Sequence, residues 1–204
     1  MKQETRERKG YSKRAARLAS VALNAPFVAG YALAILFIFG RCGNRLPYFL
    51  IALLFATVIT VLSLYMFAKS GMTSGIDVPD RRSRPIPFAM AISSYSAGSA
   101  ILMVMHSPVQ ITSFMLCYLV NTIFMALISL RWKIGIHATG IAGPAVILLY
   151  AMGAAALSFI LLAIPVAWAR ISLKAHTPAQ VAAAFIVTSA ITYVQMLVYS
   201  IALH

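Results

Sequence analysis

Long apolar runs dominate the chain and alternate with short polar segments. A bilayer-spanning α-helix needs about 20 consecutive apolar residues, and the runs have this length or fall slightly short of it. The pattern predicts seven spans, and their runs are Leu18–Phe39, Leu46–Phe67, Phe88–Met105, Gln110–Leu130, a stretch Ile141–Ala169 that supplies the fifth and sixth, and Val181–Ala202. We therefore expect an all-α integral membrane bundle of six to seven transmembrane helices, with residues 17–204 as its transmembrane domain.

The stretch Ile141–Ala169 is the least regular part of the pattern. Its apolar character is interrupted near Met152 and Gly153. A single helix of about 29 residues would be roughly 43 Å long, whereas the hydrocarbon core is about 30 Å thick. The interruption favours two short spans, and one tilted helix is the alternative.

Composition supports membrane insertion. The chain has 204 residues, of which 61% are hydrophobic and 10% are charged, whereas soluble domains carry about 25% charged residues. Such a chain cannot cover itself with polar side chains, so a soluble domain is excluded. Cys42 and Cys117 are isolated from each other and show no metal-binding spacing.

Positive charge is concentrated on one side of this layout. The chain has 17 Lys and Arg residues against 4 Asp and Glu, for a formal charge of +13. Fifteen of the 17 fall in the basic tail, residues 1–16, at Arg17 directly after it, or in the loops on the same side as that tail. The positive-inside rule then predicts that this side is cytoplasmic. Nucleic-acid binding is not expected, because little of the chain lies outside the bilayer.

Three polar clusters lie on this predicted cytoplasmic side. They are "DVPDRRSRP" at Asp77–Pro85, "KIGIH" at Lys133–His137 and "ARISLKAH" at Ala169–His176. Each alone is compatible with solvated charges at helix ends. Ionisable residues beside apolar spans are costly unless they are used or reach water, so three clusters on one face indicate a functional site.

The clusters resemble the three signatures of the type 2 phosphatidic acid phosphatase superfamily. Arg170 is followed after five residues by His176, as in the third signature, and Pro178 also fits. His137 resembles the histidine of the second signature, and "RP" at Arg84 resembles the end of the first. The order of the three signatures matches the family, and the resemblance covers the chain from about residue 69 to the end.

The chain also departs from the family pattern. Asp77 stands where the family has a phosphate-binding lysine, and Gln180 stands where it has the aspartate that orients the nucleophilic histidine. The Pro-Ser-Gly before the second-signature histidine and the serine before the third-signature arginine are also replaced, and the residues in those places are Ile134, Gly135, Ile136 and Ala169. The resemblance is therefore to a divergent member.

The resemblance implies a phosphatase that uses no metal and no cofactor. His176 would attack phosphorus and form a phosphohistidine, and His137 would protonate the leaving group and then activate water. Arg84 and Arg170 would bind the phosphate oxygens, because a guanidinium can grip two oxygens at once. Lys133 is the candidate for the cation missing at position 77.

The orientation of His176 is an open point in this scheme. Gln180 can accept a hydrogen bond from the imidazole but brings no charge. Asp77 and Asp80 are the other candidates, because they are the carboxylates of the first cluster and lie on the same face.

The expected substrate is a lipid phosphate or a polyprenyl diphosphate, since a site between spans suits an amphipathic molecule. One alternative is a catalytically impaired relative that binds lipid phosphate without cleaving it. A less favoured alternative is an intramembrane prenyltransferase, suggested by "DVPD". Such enzymes need a second Asp-rich motif, which this sequence lacks.

Overall fold

The regular elements of the protein are helices. The computed structural model describes residues 2–40, 45–73 and 83–202, with side chains described from Tyr11 onward. Across these ranges the chain is 87% helical and contains no strand. The predicted all-α fold class is confirmed. The described α-helices are α1 (Lys2–Ala22), α2 (Ala25–Phe39), α3 (Leu46–Leu53), α4 (Ile59–Lys69), α5 (Pro85–Val104), α6 (Val109–Arg131), α7 (Ile136–Met152), α8 (Leu157–Ile160), α9 (Ala163–Ser172) and α10 (Pro178–Ala202).

Several of these elements are long and apolar enough to cross a membrane. A π-helical turn at Leu54–Val58 joins α3 and α4 into one stretch. Five stretches qualify, or six if the bent pair α1 and α2 is one span, and the five are Leu46–Lys69, Pro85–Val104, Val109–Arg131, Ile136–Ile160 and Pro178–Ala202. The protein is therefore a multi-pass integral membrane protein. The described residues therefore provide five or six candidate spans, fewer than the seven that the apolar pattern predicts.

The first predicted span, Leu18–Phe39, was wrong as one continuous helix. The axes of residues Tyr11–Ala22 and Ala25–Phe39 differ by 58°. Asn24 separates them, and its side chain accepts a hydrogen bond from the Ala25 N–H at 2.8 Å. Pro26 lies in the first turn of α2, a position where its missing N–H costs nothing. Residues 2–16 of the basic segment predicted as a tail belong to α1.

The predicted interruption near Met152 is confirmed. Helix α7 ends at Met152, and Gly153 has φ +67°, which favours glycine. Helix α9 then lies beside α7, because Ala167 in α9 packs against the apolar cluster that contains Ala138 near the start of α7. Helix α9 has 10 residues and is about 15 Å long, too short to span alone.

Two apolar clusters hold the bundle together. The larger fills the space among α2, α5, α6 and α7, and the smaller lies at the end of the bundle where α5, α7 and α10 begin. Helices α2 and α7 approach closely at Gly140, where a Cβ atom would lie 2.6 Å from the Ala25 Cβ. Glycine allows this contact, because it has no side chain to keep the two helices apart. The start of α7, which carries His137, is thereby fixed against the start of α2.

Candidate phosphate site

Four of the predicted site residues are buried in this membrane protein. Arg84 is 2% exposed, Arg170 3%, His137 4% and His176 6%. Charged or titratable side chains that were merely solvated at helix ends would be exposed. Their burial means that the fold, and not solvent, determines their positions.

Arg84 connects the first polar cluster to the second. It directly precedes α5, whose first residue is Pro85. Its Nη1 atom donates to the Ile134 carbonyl oxygen at 3.3 Å and to the Ser129 hydroxyl at 3.4 Å. The guanidinium is thus held against the last turn of α6 and the loop that leads to His137.

His137 is the second residue of α7. The loop before it passes close to the start of α10, because a Cβ atom on Gly135 would lie 3.4 Å from the Gln180 carbonyl oxygen. His137 and Arg84 line the same cleft. The second cluster therefore meets the first through Arg84 and the third through the start of α10.

A tight backbone turn fixes the spacing between Arg170 and His176. Lys174 has φ +54°, a left-handed conformation that ends α9. The Arg170 carbonyl oxygen then accepts hydrogen bonds from the N–H groups of Ala175 at 3.0 Å and His176 at 3.3 Å. This turn folds the chain back at the end of α9. Arg170 and His176 are therefore adjacent in space, although five residues separate them in the sequence.

Gln180 orients His176 as part of a capping box. The Gln180 side-chain oxygen Oε1 accepts from the Thr177 N–H at 3.1 Å, and the Thr177 hydroxyl accepts from the Gln180 N–H at 3.3 Å. The same Oε1 lies 3.3 Å from Nδ1 of His176. Because an oxygen that accepts from a backbone N–H can only accept again, Nδ1 carries the proton and Nε2 keeps its lone pair.

The surroundings of His176, in the loop between α9 and α10, favour its neutral form. Burial is the main cause that lowers its pKa to about 4, and the charges of Arg170 and Arg84 lower it further. The hydrogen bond with Gln180 opposes the shift, and Lys133 adds to it. At neutral pH the imidazole is uncharged. Arg84, Arg170 and Lys133 therefore lie near enough to His176 for their charges to affect its pKa.

Six of the eight predicted site residues converge on one end of the bundle. They are Arg84, Lys133, His137, Arg170, His176 and Gln180. Asp77 and Asp80 lie outside the described residues.

Sequence reasoning missed two partners of the arginines. Ser20 in α1 accepts a hydrogen bond from Nη1 of Arg170 at 2.7 Å, and Ser129 accepts from Arg84. Neither serine belongs to a motif, so no local signal marks it. The capping box, by contrast, has a known signature in "TPAQ" at Thr177–Gln180.

A cleft extends from Arg84 and His137 into the bundle, and His176 and Arg170 are not among the residues that line it. Its cavity volume is about 110 Å³, and counting the open space at its mouth brings this to about 850 Å³. Arg84 and His137 lie on its wall at the site, and Tyr95 and Tyr118 lie deeper, so the cleft reaches about 16 Å along α5. Its other walls come from α2, α4, α6 and α7, and most of the lining is apolar. Its shape and chemistry suit a hydrocarbon chain.

Comparisons of the chain with protein-family models, curated proteins and solved structures find no match. Function is therefore argued from the geometry of this site.

Proposed function

We propose that the protein is a metal-independent membrane phosphatase that hydrolyses a lipid phosphate or a polyprenyl diphosphate through a phosphohistidine. The observation that carries this proposal is the arrangement around His176. A buried neutral imidazole with a fixed tautomer has two guanidiniums and an ammonium group beside it. Such a group of cations attracts phosphate, and the unprotonated Nε2 is a nucleophile.

The two arginines would bind the substrate. Arg84 is held by Ile134 and Ser129, and Arg170 is held by Ser20. Because these contacts restrict both guanidiniums before substrate arrives, little reorganisation is needed to meet the oxygens of a phosphoryl group. Lys133 supplies a third positive charge near His176.

Two steps complete the reaction. Nε2 of His176 attacks phosphorus, the bond to the leaving oxygen breaks, and protonated His137 donates its proton to that oxygen. The now neutral His137 then removes a proton from water, and the hydroxide attacks the phosphohistidine. This step releases inorganic phosphate and restores the lone pair on Nε2. The covalent intermediate divides one difficult displacement into two easier ones.

Gln180 would act as a positioning residue in both steps. It keeps the proton of His176 on Nδ1 during attack, and it accepts a hydrogen bond from the same nitrogen while the phosphorylated ring is cationic. A carboxylate would stabilise that cation more strongly. The neutral amide therefore supports a slower enzyme than one with an aspartate there.

The cleft supports an amphipathic substrate. A phosphate at Arg84 would leave the attached chain at the mouth of an apolar space that continues among α2, α4, α5, α6 and α7. Acyl and isoprenyl chains both suit this lining. The proposed substrate classes therefore follow from an ionic site joined to an apolar cleft.

A second candidate is a protein that binds lipid phosphate without cleaving it. The uncharged Gln180 and the acidic residue at position 77 favour it. In this case the cations would still hold phosphate, but His176 would not form a covalent bond.

Phosphate release from purified protein, with several lipid phosphates and polyprenyl diphosphates in the presence of EDTA, tests the proposal. We expect release by the wild type and none by His176→Ala. Labelled phosphate should be trapped on His176 after acid-free quenching. Binding of substrate without release or trapping would favour the non-catalytic candidate. His106→Ala is the matched control, because His106 lies in the turn between α5 and α6 at the opposite end.

A further inference from the structure

Helix α1 has three distinct faces over the residues whose side chains are described. Four apolar residues recur at intervals of four, three and four, so they share one face of the helix, and they are Tyr11, Ala15, Leu18 and Ala22. All four are exposed, and Tyr11 and Leu18 are 71% and 72% exposed. An apolar face this open to its surroundings needs an apolar environment.

Positive charge occupies a second face of α1. Lys13, Arg14 and Arg17 are exposed and spaced so that they lie next to one another. A helix with an apolar face beside a Lys- and Arg-rich face is typical of helices that lie in the plane of a membrane surface. The 58° bend between α1 and α2 also takes α1 out of line with α2.

The third face of α1 is buried against α9. Ala16 is fully buried, and Ser20, one turn further on, is buried as well. Ser20 accepts the 2.7 Å hydrogen bond from Nη1 of Arg170. One helix therefore carries exposed apolar and basic faces on one side and a contact with Arg170 on the other.

We propose that α1 lies in the membrane surface, binds anionic lipid headgroups through Lys13, Arg14 and Arg17, and positions Arg170 through Ser20. Anionic lipid would then tighten substrate binding, because it holds α1 in the place that fixes the guanidinium. The claim that α1 binds anionic lipid depends only on the residues of α1. The claim that lipid affects substrate binding rests on the proposed phosphatase function.

Fluorescence tests whether α1 binds anionic lipid, and this test needs no enzymatic assay. Leu18→Cys, labelled with an environment-sensitive dye in a Cys42→Ser, Cys117→Ser background, is placed in nanodiscs of phosphatidylcholine with or without phosphatidylglycerol. We expect blue-shifted emission in the anionic discs, reversed by high salt and lost in Arg14→Gln, Arg17→Gln. Lys69→Gln is the matched control, since Lys69 is an exposed cation at the end of α4, and should keep the blue shift. Equal emission in neutral and anionic discs would overturn the proposal.

Kinetics with a short-chain phosphatidate test the link to the site. In wild type we expect KM to fall about fivefold when anionic lipid is added, and Arg14→Gln, Arg17→Gln should lose this response. Ser20→Ala should raise KM about tenfold with kcat little changed, because it removes a hydrogen bond to a charged group. Ser20→Thr keeps the hydroxyl and should have the KM of the wild type. A loss of active protein would lower the apparent kcat and leave KM unchanged.

The outcomes separate the two proposals. Phosphate release that does not respond to lipid charge, or a Ser20→Ala variant with wild-type KM, would overturn the role of α1 and leave the phosphatase intact. No release by any variant would contradict the phosphatase, and the fluorescence would still decide whether α1 binds anionic lipid.

Discussion

Two polar regions of the bundle differ in how they are built. At the site, charged and titratable side chains are held by loops and helix ends, and their partners include the backbone carbonyl of Ile134 and a capping box. In the interior, uncharged side chains on α6 and α10 bond to one another. Asn121 donates to Thr192 at 2.8 Å and accepts from Gln195 at 3.0 Å.

The difference indicates separate roles. Amides and hydroxyls between helices satisfy one another within the bilayer and hold helices together, and they provide neither a nucleophile nor a net charge. Arginines and histidines beside loops can receive a charged ligand from water or from the headgroup region. The interior region should therefore govern stability, and the site should govern turnover.

The largest expected effect is at His176. His176→Ala should lower kcat by about 10⁴-fold or more, because it removes the attacking atom, and the midpoint of thermal unfolding should change by only a few degrees. Phosphate release and a thermal unfolding assay on the same preparation check both parts. A large fall in stability would mean that His176 serves the fold and not the reaction.

A smaller effect is expected at Gln180. Gln180→Leu should lower kcat by about 10²-fold, less than the roughly 10⁴-fold cost of losing a charged orienting group in a serine protease. Gln180→Glu keeps the capping box and should keep kcat within about threefold of the wild type. Equal losses in both variants, measured as kcat, would contradict a positioning role for the side-chain oxygen.

The interior region gives a different outcome. Gln195→Leu should lower the free energy of unfolding by about 1–2 kcal/mol, since it removes the donor to Asn121 in an apolar environment, and should leave kcat within about twofold. Denaturation in mixed micelles measures this loss. Tyr193→Phe is the control on the same helix, because Tyr193 is exposed and should not change stability. A kcat loss without destabilisation would contradict the division of roles.

The smallest effect concerns pH. The lowered pKa of His176, about 4, means that kcat/KM should not lose the nucleophile between pH 7 and about pH 5. An unperturbed histidine would be half protonated near pH 6.5. Because the unfolded state binds this proton more readily, the contribution of His176 to stability falls as pH drops from about 6.5 to 4. In Gln180→Glu, the carboxylate should raise the pKa of His176, so the acid limb of the pH–rate profile should shift to higher pH.

The local parts of the site could be predicted from the sequence. The Arg170–His176 spacing reflects one backbone turn, and the apolar runs reflect helices that must satisfy their own hydrogen bonds in lipid. Both are decided by residues close together in the chain. The break at Gly153 was visible for the same reason.

The remaining features depend on contacts between residues far apart in the sequence or on where a helix breaks within an apolar run. Ser20 meets Arg170 across 150 positions of sequence, so nothing near Ser20 marks the contact. The first span was predicted as one helix because its run is apolar apart from single residues such as Asn24. Asn24 and Pro26 mark the start of a second helix within that run. The sequence predicted six to seven spans and the described residues provide five or six, because the segment after Met152 is built from short pieces, among them helices of 4 and 10 residues.

The capping box at Thr177 has one further consequence. A single amide oxygen serves both the first turn of α10 and the imidazole of His176. The ring cannot swing away from its orientation without giving up a bond to an oxygen that is also needed to start a 25-residue transmembrane helix. The orientation of the imidazole is therefore coupled to the start of α10.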